Sequence, residues 1–413
     1  MTAFLIWSIA IASIAGVLFR PKQWPEAVWA CLGASLLLAC RLISLSTAAR
    51  AVAKGADVYL FLTGMMLLAD LARREGVFDW MASQAVVASQ GSSARLFGLV
   101  YSVGVLVTVF LSNDATAVVL TPAVYAAVKK ARAEARPYLF ACAFVANAAS
   151  FVLPISNPAN LVVYGKSLPP LLPWLRVFAL PSLMSIGVTF LMLRYDFRKS
   201  LRCRVESESV YVLLSDSGRR AAWGIAFTGA VLITASALGL DLGLPTCLAA
   251  IAAVLVATGL NARAVRDLVR EVSWSVLPLV AGLFVLVEAL NGVGASHSLA
   301  MALRHLAAMP LWAGTLAASF GIAALSNVMN NLPSGMLAGS ALQAVHVVPQ
   351  LRDAVLVGVD LGPNLSVTGS LATVLWLIAL RREGEKVAGW TFFKSGIVAM
   401  APALLFSTLA LLV

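Results

Sequence analysis

The chain has 413 residues, of which 61% are hydrophobic and only 12% charged, and its formal net charge is +11. A soluble domain lies nearer half apolar and a quarter charged, so a water-soluble fold is excluded. The positive excess suits a membrane protein whose basic residues collect in cytoplasmic loops. No interleaved aromatic-basic surface points to DNA or RNA, so lipid rather than nucleic acid is the expected surroundings.

The first element, Thr2–Phe19, carries no charge and is nearly long enough for a helix to cross about 30 Å of hydrocarbon. Its first positive residue is Arg20 and it lacks a cleavage site, so it reads as a first membrane helix rather than a signal peptide. Further apolar elements lie near 25–46, 56–74, 95–128, 138–165 and 173–194. A polar stretch, Arg194–Arg220, follows. A second set lies near 221–239, 244–260, 275–292, 310–345, 353–381 and 391–412. Six elements, a charged linker and six more invite a search for an internal repeat.

A weak repeat is present. Phe61-Leu-Thr-Gly64, with Asp70 and Gly76 beyond it, aligns without a gap on Leu279-Val-Ala-Gly282, with Glu288 and Gly294 beyond it, 218 residues later. Ser112-Asn113 falls on Asn330-Asn331 at the same separation, or on Ser326-Asn327 at 214. A separation of 213 lays Asn147 on Asp360 and Ser156-Asn157 on Gly369-Ser370. Internal repeats of this kind are the signature of secondary transporters, whose solute binds where the repeats meet.

Charge then orients the chain. With 95–128 and 310–345 as re-entrant hairpins, all but seven of the 30 Lys and Arg residues fall on the cytoplasmic side. The seven are Arg41, Arg50, Lys54, Lys166, Arg176, Arg304 and Arg352. A full crossing at 95–128 would put Lys129, Lys130, Arg132 and Arg136 on the wrong side. The expected fold is therefore an all-α polytopic membrane protein of two inverted repeats, 1–194 and 221–413, joined by a cytoplasmic linker at 195–220. Each repeat carries a re-entrant hairpin and a broken helix (138–165 and 353–381), and both termini are periplasmic.

Four polar clusters interrupt the apolar elements: Ser112-Asn113-Asp114, Ser156-Asn157-Pro158-Ala159-Asn160, Asn330-Asn331-Leu332-Pro333, and Gly362-Pro363-Asn364 running to Thr368-Gly369-Ser370. In hydrocarbon each unsatisfied polar group costs several kcal/mol, so such backbone survives only where it is buried or lines a cavity. Pro158, Pro333 and Pro363 favour helix breaks there. Broken helix ends direct free N–H and C=O groups at a common point, where a polar solute or ion can bind. The candidate solute-binding residues are Ser112, Asn113, Asn157, Asn160, Asn330, Asn331, Asn364, Thr368 and Ser370. One such cluster alone reads equally well as a joint between helices; four in repeat order make a site.

Ionisable residues within apolar segments are functional candidates by default. Asp114, Asp360 and Glu288 are the candidates for proton coupling, since burial raises a carboxyl pKa towards neutrality. Asp70 has Arg73 and Arg74 one turn away and reads as an ion pair. Cys31, Cys40, Cys142, Cys203 and Cys247 are scattered without metal-ligand spacing, and His297, His305 and His346 share none that would bind zinc. No P-loop, G-x-S-x-G or dinucleotide fingerprint occurs, so neither a cofactor nor enzymatic chemistry is expected.

The segments Phe110-Leu-Ser-Asn-Asp-Ala-Thr-Ala-Val-Val-Leu-Thr-Pro122, Leu325-Ser-Asn-Val-Met-Asn-Asn-Leu-Pro333 and Val357-Gly-Val-Asp-Leu-Gly-Pro-Asn-Leu-Ser-Val-Thr-Gly-Ser-Leu-Ala-Thr-Val-Leu-Trp376 resemble the bacterial arsenite/antimonite efflux permeases. Those belong to an ion transporter superfamily that also holds sodium–proton antiporters and sodium–carboxylate carriers. The resemblance covers nearly the whole chain. One departure is Asn147, where that branch often has an acidic residue. The resemblance implies an inner-membrane protein that exports arsenite and antimonite as neutral trihydroxides in exchange for protons. It also implies a cytosolic arsenite-stimulated ATPase as an optional partner. The amides and hydroxyls of the polar clusters suit a solute that both donates and accepts. The sodium–carboxylate carriers tend to have Thr at the position of Asp114, and a carboxylate there would repel an anionic solute. Two alternatives stand beside this reading: a sodium–proton antiporter, and a passive channel for small neutral solutes.

Overall fold

A computed structural model describes residues 2–206 and 212–413, and among these every regular element is helical. Helices Thr2–Phe19, Leu171–Asp196, Asp216–Ala237 and Gly389–Leu409 are each long and apolar enough to cross a bilayer. Ala56–Arg74 and Val276–Gly292 each follow a short amphipathic helix at a bend, of 49° after Leu45–Lys54 and 42° after Ala262–Glu271. The sequence reading merges 25–46 into one element. The structure instead ends a helix at Ala39, turns through Arg41 in left-handed backbone (φ 52°), and begins Leu45–Lys54. Leu45–Lys54, Val77–Ala88, Ala262–Glu271 and Ala295–Ala307 escape the sequence reading. Their polar residues dilute the apolar runs on which that reading rests.

The elements at 95–128 and 310–345 double back. Ser93–Phe110 ends at a break at Leu111–Ser112, and the chain returns through Asn113–Ala115, a wide turn at Thr116–Leu120 and Thr121–Lys130. Leu311–Met329 breaks at Asn330 and returns as Asn331–Gln343. A straight helix would hold residues eight apart about 12 Å from each other. Here the Thr108 and Thr116 hydroxyls are 2.8 Å apart, and those of Ser326 and Ser334 are also 2.8 Å apart.

Element ends match between the two halves. Arg136–Ala148 lies on Pro349–Leu361 at both ends with a separation of 213 residues. Ala56–Arg74 and Val276–Gly292 end 218 apart, and so do the two hydroxyl braces of the hairpins. Ser112 and Asn330 are also 218 apart. Both have positive φ (127° and 76°) and both cap the returning limb of their hairpin, so 218 rather than 214 is the hairpin register.

The helices form two packing groups. One gathers Thr2–Phe19, Glu26–Ala39, Ala56–Arg74, Asp216–Ala237, Gly243–Ala257 and Val276–Gly292; the other gathers the hairpins, the broken helices, Leu171–Asp196 and Gly389–Leu409. Within the first, the repeated glycines permit close crossings. A Cβ on Gly64 would lie 2.7 Å from the Thr246 carbonyl, and one on Gly282 would lie 2.8 Å from that of Ala30. In the second, Trp376 meets Phe140 edge to face at 5.6 Å, and its indole N–H donates to Leu139 O at 3.0 Å, joining the two broken helices. The expected linker at 195–220 is partly structured. Residues 207–211 lie outside the described residues, while Val205 N–H donates to Gly91 O and Glu206 N–H to Ala131 O, binding the segment to the first hairpin's base.

Overpacking a crossing of this kind typically costs about 1–3 kcal/mol. Gly64→Leu and Gly282→Leu are each expected to lower the thermal unfolding midpoint of the detergent-solubilised protein by several degrees. Gly187→Leu, where an added Cβ meets nothing within 4 Å, should leave it unchanged. Thermal-shift fluorescence checks all three.

Candidate functional site

Each break in the second packing group must satisfy its own helix ends. In the first broken helix, Arg136–Ala148 stops and the chain runs through Pro154–Ser156 before Pro158–Tyr164 begins. Asn157, in extended backbone, caps the second piece by accepting from Ala159 N–H at 3.0 Å. Asn160 donates its amide to Ser150 O at 2.9 Å and to Leu153 O and Pro154 O at 3.3 Å. Ser156 donates to Val109 O at 3.1 Å, which fastens the break to the first hairpin.

The second broken helix repeats the plan. Ser370 caps Leu371–Arg382 in a reciprocal box with Thr373. Asn331 N–H donates to Gly369 O at 2.8 Å, Asn330 Nδ2 to Thr368 O at 3.4 Å, and Thr368 Oγ1 to Asn327 O at 3.3 Å.

The two breaks also bind each other. Asn157 Nδ2 donates to Asp360 Oδ1 at 2.8 Å. Asn147 Nδ2 donates to Asn364 Oδ1 at 3.0 Å, and Asn364 Nδ2 to Phe144 O at 2.9 Å. Asn147 and Asp360, repeat counterparts, thus face each other's broken helix. Asp360 is fully buried, and its Oδ2 has no partner among the described residues; the same holds for Oδ1 of Asn113, Asn147 and Asn160. Each of these unfilled acceptors sits at or beside one of the breaks. Buried acceptors of this kind call for a proton, a water or a donor solute.

A cavity of about 290 Å³ borders the breaks, with Ser112, Asp114, Pro158 and Leu371 in its wall. It extends past Met65 and Ala69 to Arg20, Glu26, Asp70 and Ser275 at helix ends. A water occupies about 30 Å³ of liquid, so the cavity admits a small solute with part of its hydration. Asp114 has no hydrogen-bond partner among the described residues, leaving its carboxylate available to the cavity.

Of the nine candidate solute residues, Ser112 borders this cavity, while Asn157, Asn160, Asn330, Asn331, Asn364, Thr368 and Ser370 hold the breaks through the bonds above, and Asn113 lies at the hairpin tip with an unpartnered acceptor. Glu288 does not join them: it pairs with Lys54 at 2.9 Å and lines a different cavity. Asp70 pairs with Arg73 at 2.9 Å. His297, His305 and His346 are exposed, and among the described residues no three His, Cys, Asp or Glu side chains gather as a metal site. Sequence reasoning names Asn327 as a possible repeat counterpart of Asn113 but leaves it out of the site; it donates to Ala323 O at 2.7 Å and Gly362 O at 2.9 Å and accepts from Ser366 at 2.6 Å. Nor does it foresee the pairing of the hydroxyls of Thr108 with Thr116 and of Ser326 with Ser334. Their signal is the 218-residue register, readable once the hairpin tips are known.

A family model described as citrate transporter, CitMHS, matches residues 5–359. The chain belongs to that family. It is therefore a membrane transporter rather than an enzyme. The arsenical pump membrane protein of Escherichia coli K12 is 27% identical, covering 99% of this chain and 98% of its own. The putative arsenical pump membrane protein of Bacillus subtilis is 24% identical over 98% and 97%. The fold is shared with the Alcanivorax borkumensis YdaH transporter (TM-score 0.55, 18% identity, 88% of this chain and 86% of that one). It is shared too with Neisseria gonorrhoeae MtrF (TM-score 0.51, 12% identity, 89% and 83%).

Removing a side chain that leaves buried groups unpaired costs about 1–3 kcal/mol for each group lost. Asn327→Ala is expected to lower the unfolding midpoint and to cut transport at least tenfold. Asn261→Ala, which removes only an exposed cap on Arg263 and Ala264, should leave transport within twofold.

Proposed function

We propose that this protein exports arsenite and antimonite across the inner membrane as neutral trihydroxides in exchange for protons. The observation that carries the reading is that two carboxylates, Asp114 and Asp360, stand at the breaks whose other polar groups are neutral amides and hydroxyls. Asp114 borders the cavity and Asp360 is held by Asn157 between the two breaks. A pyramidal trihydroxide both donates and accepts hydrogen bonds, and Ser112, Asn113, Asn157 and Ser370 offer both functions. The names of the relatives, arsenical pumps matched over nearly their full length, support the same solute.

An anion such as citrate would meet the Asp114 carboxylate with a repulsion of about 4 kcal/mol at 4 Å for an effective dielectric constant near 20. A neutral solute avoids that cost, and a protonated carboxylate removes it. A trihydroxide donates its O–H groups to an ionised carboxylate, and a proton on that carboxylate removes the acceptor, so solute and proton compete for it, the minimum that exchange requires. Each proton entering down the membrane potential supplies about 2.3 kcal/mol per 100 mV. In this reading the two halves are inverted repeats, both termini are periplasmic, and the basic linker and loops face the cytoplasm. That basic face is where a cytosolic ATPase would dock. The cavity holding Arg20, Glu26 and Asp70 then opens inward, so the conformation is the one that loads cytoplasmic solute.

Energised everted vesicles test the proposal. Arsenite uptake is expected to collapse with a protonophore and to fall at least tenfold in Asp114→Asn and in Asp360→Asn. If the vesicles accumulate no arsenite but release protons when sodium is added, the sodium–proton antiporter takes its place. Uptake indifferent to the protonophore would instead identify a passive route.

A further inference from the structure

The loading cavity has an image on the far side of the polar breaks. A second cavity, of about 650 Å³, is lined by Phe284, Val287 and Glu288 of one long helix, by Met336 of the second hairpin and by Val162 of the first broken helix. At 218 residues' separation these first four are the counterparts of Met66, Ala69, Asp70 and Val118; at 213, Val162 is the counterpart of Leu375. All five counterparts line the loading cavity. Each cavity is thus built from the long helix and hairpin of one half and the broken helix of the other, with the halves exchanged. The two lie at opposite ends of shared helices. Val276 borders the first and Glu288 the second, twelve residues or about 18 Å further along. The image is incomplete at its deep end: the first cavity reaches Ser112, Asp114 and Ala115, but Asn330, Leu332 and Pro333 do not line the second.

Charges at the two mouths correspond as well. Asp70 pairs with Arg73, which reaches on at 2.9 Å to Glu271, the last residue of an amphipathic helix from the other half. Glu288 pairs at 2.9 Å with Lys54, likewise the last residue of an amphipathic helix from the other half. Lys166 lines the same cavity.

We propose that this second cavity is the outward mouth of the transport path, a site for the departing solute closed short of Asn330 and Asn331. The Lys54–Glu288 bridge positions its wall and cancels the one carboxylate there. The inference rests on the transport reading but not on which solute is carried.

The test reads side-specific accessibility in a chain whose five cysteines are replaced, using a membrane-impermeant maleimide on intact cells and on everted vesicles. Ser340→Cys, beside Met336 in the second cavity, should label only from the periplasmic face, and Ala69→Cys only from the cytoplasmic face. Labelling of Ser340→Cys from the cytoplasm, or from neither side, overturns the proposal. Correct labelling without arsenite movement would leave the mouth standing and remove the solute assignment instead. For the bridge, Glu288→Gln should slow transport at least threefold, and the exchanged pair Lys54→Glu with Glu288→Lys should restore it. An exchanged pair that labels normally at Ser340→Cys yet transports no faster than Glu288→Gln overturns the bridge's role.

Discussion

Everything in this fold depends on ending helices in the middle of a membrane. Each broken end exposes backbone donors and acceptors that hydrocarbon cannot satisfy, at several kcal/mol apiece. The chain meets that demand with short polar side chains at the breaks themselves. Ser112, Asn157, Asn330 and Ser370 each cap the helix that starts again, while Asn160, Asn327 and Asn364 hold the carbonyls released before it. The groups left over, among them Asp360 Oδ2 and Asn113 Oδ1, have no partner among the described residues and are the acceptors on which the proposed exchange draws. In the proposed function, structural necessity and solute recognition share one set of residues.

The halves are joined by exchange at every level. Gly64 of the first half packs on Thr246 of the second, and Gly282 of the second on Ala30 of the first. Asn157 binds Asp360, and Asn147 binds Asn364, so neither break is complete without the other. Trp376 anchors in the aromatic cluster around Phe140 and carries the same coupling away from the site. A movement of one broken helix relative to the other would have to break these bonds.

Much of the candidate site's architecture was legible in the sequence because polar residues in hydrocarbon are expensive and so stand out. The four clusters, the hairpins and the broken helices all follow from that contrast and from the charge of Lys129–Arg136. What was hidden has equally physical causes. Ala262–Glu271 and Leu45–Lys54 are amphipathic and leave no apolar run. Thr108, Thr116, Ser326 and Ser334 are small hydroxyls that a helix tolerates anywhere, and only the fold brings them into pairs. Glu288 shows the reverse: its position in an apolar helix marks it for coupling, yet its partner Lys54 is 234 residues away in sequence and invisible beforehand. The choice between registers of 218 and 214 required the hairpin tips, since Ser326-Asn327 matches the letters of Ser112-Asn113 while Asn330 occupies its place.

The central claim is that solute and protons compete for one site made of Asp114, Asp360 and their amide neighbours. The most direct measurement is the pH change of a weakly buffered solution of purified protein on adding antimonite, with affinity followed across pH. Competition predicts that binding releases protons and that affinity strengthens as pH rises, both effects fading when Asp114 and Asp360 are replaced by Asn. Binding of equal affinity at every pH, with no proton released, would contradict it.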